Sequence, residues 1–146
     1  MPPTRAELLH TAKNLFVTYN KWNVEDIMAI RTSDCTHRVL PSSLGQAPLD
    51  NDAFRRFVEN LMLGIPKGFN FTIDEKTPLV DESARKVVVF AKSKAETVAG
   101  PYANEYIFVV TVDESGNKIA GVEEFVDATI VKDFLPKFEE AMAKLA

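Results

Sequence analysis

Cys35 is the only cysteine among 146 residues, so the chain has no internal disulfide and no cysteine-based zinc site. Histidine is nearly as scarce. His10 and His37 fall in different elements, which leaves no His-x-x-x-His metal pair. No glycine-rich phosphate loop and no nucleophile elbow occurs. The sequence therefore gives no support to a metal, nucleotide or redox cofactor, and none is expected. Basic residues are scattered and the formal net charge is −4, so neither nucleic acid nor an anionic membrane is an expected partner. No apolar run reaches membrane-spanning length, and the opening MPPTRAELL lacks a signal-peptide core. With one free thiol besides, the chain is expected to be a single domain, residues 1–146, in the reducing interior of a cell, in the cytoplasm.

What the chain does have is ordinary for a globular protein: 46% apolar and 26% charged residues. Thr4-x-x-Glu7 is a capping box, and Leu8, Ala12, Leu15, Phe16 and Tyr19 follow at helical spacing. Asn23 and Asp26 start a short second helix containing Ile27 and Ile30. CTHRVLP, ending at Pro41, reads as a short strand. Asp50 or Asn51 caps a third helix whose inner face holds Phe54, Phe57, Val58, Leu61 and Ile65. From Phe69 the period changes to two, and four strands follow: FNFTID, KVVVFAKSKAET, NEYIFVVTV and KIAGVEEFVDATI. A last helix is expected from about Asp133, with Pro136 in its first turn.

Helices followed by antiparallel strands spell an α+β fold, a curved sheet whose concave face the N-terminal helices close. In KVVVFAKSKAET one face carries Lys92, Lys94 and Glu96 and is wet. The other shrinks from Val87 and Val89 to Ala91, Ser93 and Ala95, which admits either a close-packed helix or a ligand.

Acid–base chemistry in a pocket, or plain binding, is what remains. His37 alternates with Cys35 and Val39 on the apolar side of its strand, as a structural residue or as a proton donor or acceptor. Arg38 faces the opposite way and, near a cavity mouth, could hold an anionic oxygen. Pairing Val112 with Lys118 across DESGN sets Tyr106 opposite Glu124 and Asn104 opposite Val126, all on one face. A slip of one residue would exchange the faces. In that register Glu124 is a buried carboxylate beside a phenol and an amide, either a general acid/base or a hydrogen-bonded structural acid. Asp127, at the strand end, is a second catalytic candidate. Tyr19, Trp22 and Phe57 supply apolar walls for a small-molecule site.

LFVTYNKWNVEDIMAIRTSDCTHRVLP, the aromatic third helix, and GPYANEYIFVV with GNKIAGVEEFVD resemble the SnoaL-like branch of the NTF2-like superfamily, in the same order over nearly the whole chain. CTHRVLPSSLG, GPYANEY and EEFVD are most similar to small fungal secondary-metabolite proteins, including isomerases of the meroterpenoid pathways to terretonin, austinol and paraherquonin. The resemblance implies a cone-shaped barrel and a homodimer formed through the outer sheet face. It also implies a pocket for a small hydrophobic polycyclic substrate, and chemistry without metal or organic cofactor. Related polyketide cyclases carry an acid in a motif like Lys-Ile-Val-x-His-Trp-Asp. Laying KIAGVEE on that motif puts Glu124 on the acid and Val122 on the histidine, so a histidine role falls to His37 or is absent.

The expected function is thus a cofactor-independent isomerase or cyclase of fungal secondary metabolism. It would rearrange a ring of a meroterpenoid or polyketide by carbon–carbon cleavage and lactone or ester re-formation. Glu124 is the expected acid/base, His37 its helper, and Tyr106 and Asn104 the groups that orient the acid or stabilise a developing enolate or oxyanion. Two alternatives stand: a non-catalytic carrier or interaction domain of the same fold, and a dehydratase like scytalone dehydratase, which would need two pocket histidines.

Overall fold

The computed structural model describes residues 1–146. Helix α1 (Arg5–Lys21) begins with the capping box: the Glu7 N–H donates to Thr4 Oγ1 at 3.2 Å and the Thr4 N–H to Glu7 Oε2 at 2.8 Å. Its whole expected stripe is buried. The helix ends at Trp22, in the left-handed region at φ 55°, whose indole N–H donates to the Ile65 carbonyl at 2.8 Å. Asn23 caps α2 (Val24–Ala29), and Asp50 caps α3 (Asn51–Gly64) by accepting from the Ala53 N–H at 2.9 Å.

Six strands follow the order β1 (Arg31–Leu40), β6 (Ile119–Val126), β5 (Gly100–Val112), β4 (Lys86–Thr97), β2 (Phe69–Ile73), with β3 (Leu79–Asp81) also paired to β4. β1 runs parallel to β6 and every other pairing is antiparallel. The expected short strand CTHRVLP is the second half of a ten-residue one. β4 has the two faces expected of it: Val87, Val89, Ala91, Ser93 and Ala95 are buried, Lys92, Lys94 and Glu96 exposed. α1 and α3 close the concave side. Leu8, Leu15, Phe16, Ile27, Phe108, Val110 and Val122 centre the core, each buried apolar side chain contributing about 1.5–3 kcal/mol. No helix is long and apolar enough to cross a membrane.

Two boundaries differ from expectation. β5 starts at Gly100 rather than Asn104, because the alternation continues back through Tyr102. α4 (Ala128–Ala143) starts well before Asp133, because Asp127 caps it by accepting from the Thr129 N–H at 3.1 Å. Pro136 therefore lies in mid-helix, where its missing N–H removes one rung.

The register of β5 on β6 also differs. Val112 faces Ile119, not Lys118, and then Thr111 faces Gly121, so Ala120 is an unpaired bulge residue. Beyond the bulge Tyr106 lies opposite Val126 and Phe108 opposite Glu124. Each of the two displacements moves the partner by one residue. Together they shift the register by two, so Tyr106, Phe108, Val122, Glu124 and Val126 share the concave face as expected, while the pairs themselves change.

Candidate active site

Between the helices and the concave sheet lies a cavity of about 180 Å³. Of the 22 residues lining it 19 are apolar or aromatic, so its strongly polar chemistry rests on His37, Glu124 and Gln46. β1 supplies His37, β6 supplies Glu124, and Gln46 comes from the loop after a single 3₁₀ turn, Ser42–Leu44. Phe134 and Phe138 of α4 line the cavity from the side of α3, so the C-terminal helix closes it together with Phe57 and Leu61.

His37 Nε2 lies 2.5 Å from Glu124 Oε1. The histidine side chain is 2% exposed and the glutamate 16%. Backbone bonds in both directions between His37 and Leu49, at 2.9 and 2.8 Å, pin the strand at this point. The imidazole stacks on Phe54, ring centroids 4.7 Å apart and planes 21° from parallel. Its Nδ1 is buried without a partner. A buried lone pair without a donor costs less than a buried N–H without an acceptor, so the ring carries its proton on Nε2 and donates it to Glu124. Arg31, itself buried, sets its guanidinium carbon 4.2 Å from the Phe54 ring centroid and donates from Nε to Asn51 Oδ1 at 2.8 Å. Its two Nη nitrogens have no protein partner, which leaves a cation behind the aromatic wall.

The structure brings His37, Glu124, Tyr106, Tyr19, Trp22 and Phe57 to one cavity. Three other expected site residues lie elsewhere. Arg38 points to the outer face and pairs with Glu123 at 3.5 Å, because strand alternation turns it away from His37. Asp127 is exposed and spent on capping α4. Asn104 is buried but does not line the cavity; its amide donates to the Tyr102 hydroxyl at 2.7 Å. Nor does Tyr106 orient Glu124 by the expected cross-strand pairing, since its hydroxyl bonds to Ser93 Oγ at 2.7 Å. Tyr102, which was missed, stands on the wall two residues before Asn104 on the same strand face. Carrying the alternation of GPYANEY back by one step would have found it.

Burial pushes the Tyr19, Tyr102 and Tyr106 phenols above their ordinary value, and the negative charge of Glu124 adds to the effect at each. His10 is exposed on the outside of α1, so a dehydratase built on two pocket histidines does not fit this cavity. No three His, Cys, Asp or Glu side chains cluster closely enough to hold a metal ion.

No protein-family model matches the chain. Austinoid biosynthesis clusters protein J of Emericella nidulans is 34% identical over 139 residues, spanning 95% of this chain and 86% of that protein. The crystal structure of the BvnE pinacolase of Penicillium brevicompactum is 36% identical, with a TM-score of 0.86 over 91% of both chains. A Shewanella denitrificans structure described as a SnoaL-like polyketide cyclase has a TM-score of 0.72 over 91% of this chain and 98% of that one; at 10% identity the likeness shows the fold alone.

Proposed function

The chain belongs to the family of the fungal austinoid biosynthesis cluster proteins, built on the SnoaL-like, NTF2-like fold, and on that premise we propose that it is an isomerase or cyclase of fungal secondary metabolism, acting as one domain. One observation carries the proposal: a carboxylate and an imidazole in hydrogen-bond contact at 2.5 Å in an otherwise apolar cavity. With the imidazole proton on Nε2 and held by Glu124, the carboxylate keeps a second oxygen free to take a proton from a bound substrate and return it elsewhere. His37 orients the carboxylate and steadies its charge. A solved relative is a pinacolase, which supports a skeletal rearrangement here too.

The substrate is a small hydrophobic polycycle of meroterpenoid or polyketide type, and the reaction is an acid–base ring rearrangement with carbon–carbon cleavage and lactone or ester re-formation. The cavity, about 180 Å³, exceeds by little the apolar hole of about 150 Å³ that holds benzene. A single reacting ring enters, and the rest of the molecule extends out of the cavity. A second copy of the chain pairs through the outer sheet face. There Phe90, Ile107 and Phe125 are 37%, 41% and 51% exposed and form a row of register partners across three strands.

Expressing the chain in a fungal host with its neighbouring biosynthetic genes tests the function. Glu124→Gln is expected to lower conversion of the accumulated intermediate by about 10²–10⁴-fold in a folded protein. Full conversion by that variant would return the chain to the carrier reading, in which Glu124 serves binding alone.

A further inference from the structure

Three phenols line the cavity, and they differ in what the protein has done with their protons. Tyr106 shares a hydrogen bond with Ser93 Oγ at 2.7 Å. The Tyr19 hydroxyl is buried without any partner. Tyr102 receives on two sides, from the Asn104 amide and from the Tyr106 hydroxyl beside it. The Asn104 Oδ1 accepts the Glu105 N–H at 2.7 Å and the Asp127 N–H at 3.3 Å, which turns Nδ2 onto the Tyr102 oxygen at 2.7 Å. An amide nitrogen of this kind only donates. The Tyr102 oxygen is therefore the acceptor in that bond, and its own proton points away from Asn104. The ring is part of the cavity wall, 4.6 Å from Phe134 and edge-on to Phe69 at 6.3 Å, so the unspent O–H is available to an occupant. Accepting one hydrogen bond also strengthens the one that the hydroxyl donates.

We propose that Tyr102 is a further catalytic residue, donating a hydrogen bond to a carbonyl oxygen of the substrate while Glu124 takes a proton from the adjacent carbon, with Asn104 as its positioning residue. The inference rests on the acid–base role of Glu124 and narrows the substrate to an enolisable ketone or ester. The C–H electron pair becomes the carbon–carbon double bond, the carbonyl π pair moves onto oxygen, and the proton ends on the Glu124 carboxyl. Negative charge thus leaves Glu124 and gathers on the oxygen that Tyr102 faces. Tyr102 keeps its own proton, because burial holds the phenol above its ordinary value despite the opposing pull of the bonds from Asn104 and Tyr106.

p-Nitrophenol, whose anion mimics an enolate, and neutral nitrobenzene are the probes. Their binding is measured by absorbance and calorimetry in a Glu124→Gln background, where the amide stands in for the protonated carboxyl. Adding Tyr102→Phe is expected to weaken p-nitrophenolate binding by about 10- to 100-fold, and nitrobenzene binding by less than about twofold. Adding Asn104→Asp instead supplies an acceptor where the amide donated. It turns the Tyr102 proton away from the cavity, and the anion is expected to be lost selectively again. Equal weakening of both probes, unchanged p-nitrophenolate binding, or no p-nitrophenolate binding in the Glu124→Gln background would each overturn the assignment. Full turnover by Glu124→Gln with selective anion loss on Tyr102→Phe would instead sink the role of Glu124 and leave Tyr102 as an anion-stabilising donor.

Discussion

His37 and Glu124 touch on a diagonal. In the parallel pairing of β1 with β6, His37 is the register partner of Val122 and Glu124 that of Val39, yet the two side chains meet at 2.5 Å. The contact crosses the inner face of the sheet and depends on both strands holding their places. Phe54 holds one end of it, through the stacked imidazole.

A graded loss of turnover follows from that contact. Glutamine at position 37 offers an N–H of comparable reach but no ring to stack on Phe54. His37→Gln is expected to lower kcat by about tenfold, well short of the loss in Glu124→Gln, whose carboxylate is the proton acceptor. Steady-state kinetics on the two variants checks the order; an equal or larger loss at His37 would make the imidazole the principal base.

Asp127 behaves differently from Glu124, although only two residues lie between them. As the N-cap of α4 it bonds to the Thr129 N–H. Asp127→Ala is expected to cost about 1 kcal/mol in urea unfolding, with turnover nearly unchanged. Asp127→Ser, which retains a cap, should recover the stability; a collapse of turnover in both variants would put Asp127 back among the catalytic candidates.

Alkaline titration should find no ordinary tyrosine. The chain has three, Tyr19, Tyr102 and Tyr106, and burial raises all of them. The folded protein keeps phenol protons that the unfolded chain gives up near pH 10, so their contribution to stability is complete below about pH 10 and is lost progressively above it. Ultraviolet difference spectra should show tyrosinate appearing together with unfolding, later than in the denatured protein. A step of one whole tyrosine near pH 10 in the folded state would contradict the burial of that residue.

Gly64 is where α3 and α4 come together. A Cβ there would overlap the Phe138 ring and stand 2.7 Å from Met142 Sδ. Gly64→Ala is expected to destabilise the fold by about 1–3 kcal/mol through overpacking, read as a lower urea midpoint with an unchanged slope. Combining it with Phe138→Leu, which makes room, should restore part of the loss.

The parts of the fold set by local chemistry were legible in the sequence. The α1 stripe, the capping box and the two faces of KVVVFAKSKAET follow from spacing alone. So does the isolation of His10 from His37. What sequence could not supply was long-range pairing: the parallel partnership of β1 with β6 joins residues some ninety positions apart and has no local signature. Register failed for a related reason. Asp113 N–H closes the turn onto the Lys118 carbonyl at 2.9 Å, one residue away from the pairing expected, and nothing in KIAGVEEFV marks Ala120 as unpaired. Glu124 nevertheless keeps the inward face expected of it, because two displacements of one residue preserve the face. Asn104 shares the face expected of it but does not reach the cavity wall, where Tyr102, to which its amide donates, stands instead.

The bulge at Ala120 works like a reading-frame correction. Carried on from Val112 and Ile119 without it, the pairing would bring Val122 opposite Val109 and Glu123 opposite Phe108, turning Glu123 inward and Glu124 out to solvent. Deletion of Ala120 removes the unpaired residue itself and should leave Gly121 opposite Thr111 and Glu124 inward opposite Phe108, so the variant is expected to fold with the outward Arg38–Glu123 pair intact and to keep its turnover; a folded but inactive deletion variant would mean that the face of Glu124 is not set by this count. The identity of the base is thus written less in either glutamate than in whether one small residue, outside the cavity, is paired.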